Sequence, residues 1–148
     1  MTSGHWIMII RRGKVFIPTM ARTEAGFYLA VDPVEVVDAV NPAAMETALM
    51  NVVRRGNPAV PTPSRDGYPE WVVLKHAGVK SAAAFERLAE SWALSISGDN
   101  YALTPYRPFE TGGSVEDREH TEVIPTTTPL PEVVRRLVQK AKAGLPKS

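Results

Sequence analysis

Three histidines, His5, His76 and His120, and the run Glu116-Asp117-Arg118-Glu119-His120 are the side chains best suited to acid–base or metal chemistry. A helical zinc site of the His-Glu-x-x-His kind needs two histidines four residues apart, and none of the three has such a partner. His5 reads as a strand residue, and His76 as a residue at a strand end that can reach a cleft. Catalytic carboxylates need enclosure to bring their pKa toward neutrality. The 116–120 run follows Gly112-Gly113-Ser114, a polar stretch without any sign of enclosure. A small enzyme with a site assembled from His76, Glu119 and His120 is therefore the second reading, not the first.

Other chemistries lack their residues. Gly112-Gly113-Ser114 is too short for a phosphate cradle, which needs Gly-x-x-x-x-Gly-Lys-Ser/Thr between a strand and a helix. No Gly-x-Ser-x-Gly elbow is present. Zero cysteines exclude disulfides, thiolate metal sites and a cysteine nucleophile. No catalytic residue, cofactor or metal is expected. Arg11-Arg12-Gly13-Lys14 and the C-terminal bases suit a nucleic-acid-binding accessory protein, the third reading. Such modules carry a domain-wide basic surplus with interleaved aromatics. Here the net charge is +1, so direct nucleic-acid binding is not expected.

Charge is unevenly spread. Residues 110–122 hold Glu110, Glu116, Asp117, Glu119 and Glu122 against one base, Arg118. Residues 123–148 hold Arg135, Arg136, Lys140, Lys142 and Lys147 against one acid, Glu132. Acids so close repel one another, and the segment lacks the Asp-x-Asp-x-Asp-Gly pattern of a calcium loop. A surface that meets a basic partner is the functional use such a segment fits, because complementary charge raises the on-rate and disfavours wrong partners. The competing reading is an ordinary solvated loop.

The elements that must position these residues follow from periodicity. One domain is expected from 148 residues, with 44% hydrophobic and 22% charged residues typical of a soluble globular chain. Residues 5–10, 15–17, 27–31 and 34–37 read as four short strands of an antiparallel meander, with Pro18 ending the second or marking it as an edge. Asn41 and Pro42 start a helix whose apolar face is Met45, Ala48, Leu49, Val52 and Val53, and Gly56 stops it. Residues 57–70, with four prolines, read as a long exposed loop. Residues 71–108 read as β-α-β-β: a strand at 71–74, a helix near 81–91 with Phe85, Leu88, Ala89 and Trp92 on one face, then strands at 93–97 and 101–104 around Gly98-Asp99-Asn100. Residues 110–122 read as a second long loop, with a strand at 121–124. Thr128 and Pro129 begin a final helix striped by Leu130, Val133, Val134, Leu137, Val138 and Ala141, which Gly144 ends before a frayed tail. The expected class is α+β: an antiparallel or mixed sheet of about five to seven strands with about three packed helices.

No apolar run approaches the length needed to cross a bilayer, and the first residues lack the basic and apolar regions of a signal peptide. A cytoplasmic protein without membrane contact is expected.

The hairpin Trp92-Ala93-Leu94-Ser95-Ile96 … Asp99-Asn100-Tyr101-Ala102-Leu103, the acidic segment and the terminal Leu130-Pro131-Glu132-Val133-Val134 together resemble immunity proteins of contact-dependent growth inhibition and related polymorphic-toxin systems. Those proteins share no common signature, so none of their residues transfers to this chain. The resemblance implies a small cytoplasmic, bacterial, non-enzymatic protein that binds the cognate toxin domain of its own system tightly and blocks it. Many such toxins are nucleases with basic, phosphate-binding sites. Glu110, Glu116, Asp117, Glu119 and Glu122 would then stand in for phosphates, with Tyr106 and Phe109 as aromatic anchors. The Pro-rich stretch 57–70 is the next candidate surface.

Overall fold

The computed structural model describes residues 3–67, 69–87, 89–108 and 113–143. The α+β class holds, with eight strands and four helices among the described residues instead of five to seven and about three. The strands are β1 (Ser3–Arg11), β2 (Lys14–Thr23), β3 (Tyr28–Asp38), β4 (Ala59–Val60), β5 (Ala89–Ser97), β6 (Asn100–Pro108), β7 (Ser114–Glu116) and β8 (Glu122–Pro125). The helices are α1 (Pro42–Arg55), α2 (Val73–Ala77), α3 (Ala82–Glu86) and α4 (Leu130–Ala143). Strand order is β3-β2-β1-β5-β6-β7, with β4 beside β2 and β8 beside β6. All pairings are antiparallel except the two-residue β2–β4 bridge.

β1 and β5 pair along their whole length, from Ser3 opposite Ser97 to Arg11 opposite Ala89. β1 and β2 pair only next to their turn, from Ile9–Phe16 to Arg11–Lys14, and then diverge. Residues 57–60 fill the split. Asn57 Nδ2 donates to the carbonyls of His5 and Met20, each at 2.9 Å, and Asn57 Oδ1 accepts from the His5 N–H at 3.3 Å. One amide side chain thus replaces a missing stretch of ladder and satisfies backbone groups that burial would otherwise leave unpaired. The start of the expected 57–70 loop is therefore part of the sheet.

Side chains alternate across the sheet, so β1 feeds two cores. Trp6, Met8 and Ile10 face α1 and α4 together with Val15, Ile17, Leu94, Ile96, Leu103 and Ile124. The two helices bury the predicted stripes: Met45, Ala48, Leu49, Val52 and Val53 from α1, and Val133, Val134, Leu137, Val138 and Ala141 from α4. Asn41 caps α1 through Oδ1, 3.1 Å from the Ala44 N–H, and Gly56 closes it at φ 72°. The Gly56 carbonyl also accepts from Trp6 Nε1 at 3.2 Å, which locks the buried indole. A Cβ on Gly4 would lie 2.5 Å from Trp6 Cη2, so only glycine fits there. α4 begins at Leu130, later than expected: the Pro129 carbonyl accepts from Glu132 and Val133 N–H groups, and Thr128 lies before the helix. The expected stop at Gly144 and the tail beyond it lie outside the described residues.

The opposite face carries a smaller core of Ile9, Phe16, Val73, Leu74 and Phe85. The apolar run at 71–74 enters helix α2, which Gly78 ends in the left-handed conformation. A four-residue apolar run has no period to distinguish helix from strand. The expected helix over 81–91 stops at Glu86, and Ala89 and Trp92 belong to β5, where full-length pairing with β1 overrides their helix-like spacing. Leu88 lies outside the described residues. The expected β-α-β-β unit is thus α-α-β-β. Pro18 does not end its strand, nor is that strand an edge. It sits at a register shift where β3 has two extra residues, Asp32 and Pro33, and β3 is one strand instead of the expected two. Thr19 Oγ1 donates to the Pro33 carbonyl at 2.8 Å within this bulge, which aims Asp32 at α2. There Asp32 meets Lys75 Nζ and, at 2.8 Å, His76 Nε2.

Candidate functional site

The acidic segment is not the free loop its composition suggests. Its described part runs along β6: Glu116 pairs with Tyr106, Val115 with Arg107 and Ser114 with Pro108. The Asp117 N–H donates to the Pro105 carbonyl at 2.7 Å. A 3-10 turn at Arg118–His120 follows, held by His120 Nδ1 and Asp117 Oδ2 at 2.8 Å, before β8 returns to β6. The Thr104 and Thr121 hydroxyls meet at 2.9 Å beneath the turn.

This framework divides the acids and relieves much of their expected repulsion. Glu122 turns to α4, 2.8 Å from Lys140 Nζ and 3.2 Å from Arg136 Nη1. The Lys140 hydrogen bond, above all, holds its carboxyl below the usual glutamate range, opposed by partial burial and helped by the Arg136 guanidinium. Glu122 therefore ties β8 to α4. Glu116 is half-buried, with Arg118 Nε 3.7 Å away. Asp117 is engaged by His120, and Glu119 is exposed with no ion pair among the described residues. Glu116, beside Tyr106, together with Asp117 and Glu119 thus forms a continuous acidic rim of strand and turn along β6. Phe109 and Glu110 lie outside the described residues. Burial pushes the half-buried Tyr106 phenol up to about 12, with the Glu116 carboxylate adding to the shift. It is a neutral hydrogen-bond donor at any physiological pH.

The residues of the enzyme reading do not converge. His76 sits on α2 against Asp32 of β3, and His120 in the turn next to β6. Strands β3 and β6 are four spacings apart in the sheet, about 19 Å. Among the described residues, no three His, Asp or Glu side chains come together in a way that could hold a metal ion. The bases do not form one surface either. The Arg11 guanidinium lies 5.3 Å from the Phe85 ring centroid, while Arg135 and Arg136 pair with Glu132. No described helix is long and apolar enough to cross a membrane.

Two features escaped the sequence. His5 is half-buried against Tyr28, with ring centroids 5.2 Å apart. Burial lowers its pKa, and the Glu116 carboxylate partly opposes that. The second is a groove across the α2–α3 face of the sheet. An apolar compartment of about 400 Å³ is lined by residues including Ile7, Met20, Tyr28, Leu29 and Trp71. It opens into a second compartment of about 540 Å³ lined by Arg87, Glu90 and Arg107. Ala89, Ser91, Tyr106 and Ser114 border both. Strand alternation could have flagged Ile9, Ser91 and Tyr106 individually, but only the strand order β1-β5-β6, with Ile9 opposite Ser91, brings them to one groove.

No protein-family model and no curated protein matches this chain. Solved structures do. A protein of unknown function from Neisseria meningitidis superposes with a TM-score of 0.68 at 11% identity, over 95% of this chain and 93% of that one. A chain of a CdiA-CT/CdiI toxin and immunity complex from Yersinia pseudotuberculosis superposes with a TM-score of 0.62 at 11% identity, over 96% of this chain and 98% of that one. At such identity the likeness is one of fold: this chain shares a complete α+β architecture with a component of a toxin–immunity complex.

Proposed function

We propose that this chain is a binding protein without catalytic activity of its own, which neutralises a cognate toxin domain by forming a tight complex with it. The observation that carries this reading is the fold likeness to nearly the whole of a chain from a toxin and immunity complex. The rim beside Tyr106 adds support, since it offers carboxylates on a fixed strand and turn. In this reading the toxin is a nuclease, met in the cytoplasm, and Glu116, Asp117 and Glu119 face the basic side chains that bind phosphate in its active site. Tyr106 lies beside Glu116 as an aromatic anchor, and Phe109, outside the described residues, is proposed as a second. Glu110 adds to the negative field. Glu122 contributes less, because Arg136 and Lys140 already occupy it.

The test is a pull-down of the tagged chain from its host after a high-salt wash, followed by calorimetry with the partner retained. One toxin domain held in equimolar amount, degrading nucleic acid alone but not in the complex, is the expected result. Reversing Glu116, Asp117 and Glu119 together to lysine should weaken the complex on the order of a hundredfold or more, because close interfacial charge pairs couple by several kcal/mol. The melting temperature should fall only modestly, because Glu119 is exposed and the half-buried Glu116 and Asp117 give up only their contacts with Arg118 and His120. Retention of no partner would defeat the proposal. Undiminished binding by the triple variant would move the contact surface to residues 61–67.

A further inference from the structure

The groove across the α2–α3 face has a polarity that the toxin-binding reading does not use. Its apolar compartment runs from β3 under Trp71 toward β5, with Ile7 and Met20 in its floor. Its other compartment has Arg87 and Arg107 in its lining, both exposed and neither in an ion pair among the described residues. Glu90, the acid lining that end among the described residues, accepts a hydrogen bond from Trp92 Nε1 at 3.1 Å. Between the compartments stand three hydroxyls, those of Ser91, Tyr106 and Ser114. Pockets for small ligands have this build: several hundred Å³, mostly apolar, with a few converging polar groups.

The geometry points to a binding site for a small amphipathic carboxylate, its hydrocarbon body between Trp71 and the sheet and its carboxylate toward Arg87 and Arg107. An arginine is the side chain suited to a carboxylate, through paired N–H donors. The hydroxyls of Ser91 and Ser114 donate beside it, and Tyr106 remains protonated to do the same. Glu116, across the β6–β7 pair from Tyr106, repels an anion and so favours seating at the arginine end. The site adjoins the acidic rim, with Tyr106 lining the groove and Glu116 paired across from it, but its ligand is distinct from a toxin.

The experiment is calorimetry and amide-shift mapping of the full chain with dodecanoate, kept below its micelle-forming concentration. Dodecanol and dodecyltrimethylammonium serve as matched neutral and cationic probes. Dodecanoate should bind saturably, shift the amides of Ile7, Ala30 and Ser91, and bind at least about tenfold more tightly than either control, since a hydrogen bond to a charged group contributes that much. Octanoate should bind on the order of a hundredfold more weakly, for four fewer buried CH2 groups. The surface double variant Arg87→Gln, Arg107→Gln should lose the preference for the anion, and Glu116→Gln should keep or strengthen it. Ser91→Phe should block the groove, and the arginine variant keeps the test decisive if that one fails to fold. Absence of saturable binding, equal binding of the cationic probe, or shifts mapping elsewhere would overturn the assignment.

Discussion

The two faces of the sheet are covered in different ways. On one, two fourteen-residue helices lay continuous apolar stripes over Trp6, Met8, Leu94 and Leu103. On the other, two five-residue helices cover Ile9 and Phe16 with little more than Val73, Leu74 and Phe85. Isolated helices that short have no stability of their own, so α2 and α3 depend on tertiary anchors. Those anchors are the edge-on stacking of Phe85 against Phe16 and Trp71, at 5.7 and 5.1 Å, and the side-chain hydrogen bonds of Asp32 with Lys75 and His76. Dense cover supplies stability, while sparse cover leaves the groove and a strip of half-buried polar side chains. Candidate binding features accordingly gather on the sparse face and its β7 border.

The largest effect that would sharpen this contrast is Leu137→Ala. Leu137 is fully buried between α4 and the sheet, and its truncation should cost about 2–5 kcal/mol through lost burial and a residual cavity. Denaturant titration should show a lower midpoint with an unchanged slope. Val73→Ala, on the sparse face, should cost about 2 kcal/mol or less. Its signature should be local: faster hydrogen exchange through Val73–Ala77 and Ala82–Glu86, with β1 and β5 amides still protected to nearly the global limit. If Val73→Ala lowers protection of β1 and β5 as much as Leu137→Ala does, the two faces form one cooperative unit and the contrast fails.

The same contrast governs how much of the molecule could be read from its residues. The α1 and α4 stripes repeat over about four turns, so most of their buried faces were legible, although α4 starts later than expected and Leu130 is only partly buried. The turn at Gly98-Asp99 was legible because alternating runs flank residues tolerant of positive φ, and Ser97 indeed pairs with Asn100 across it. On the sparse face the elements are too short to show a period. Val73 and Leu74 therefore looked like a strand, and Ala89 and Trp92 like a continuing helix. The β3 bulge at Asp32-Pro33 looked like a break because a sequence does not display the Pro18–Thr19 register shift opposite it. For the candidate site, the concentration of acids was plain. Their division was not, since the tie from Glu122 to Lys140 and Arg136 depends on where α4 packs. The groove was invisible because its walls come from strands β1, β2, β3, β5, β6 and β7, helix α3 and residues 69–71.

The smallest expected effect concerns His5, where the sparse face meets water. Burial against Tyr28 disfavours the imidazolium, so the folded pKa lies below the ordinary value of 6.5. As pH falls below 6.5, the unfolded chain takes up a proton that the folded chain resists. Stability attributable to His5 is therefore complete above 6.5, declines as pH drops toward the folded pKa, and levels off below it. The Glu116 carboxylate works against the shift, so Glu116→Gln should steepen the decline and His5→Gln should flatten it. Melting temperatures between pH 8 and pH 5 would resolve both slopes, since ordinary carboxylates titrate mostly below this range. Identical slopes for the parent and His5→Gln would mean that water reaches the imidazole freely, and that the sparse face is open at Tyr28 as well as at the groove.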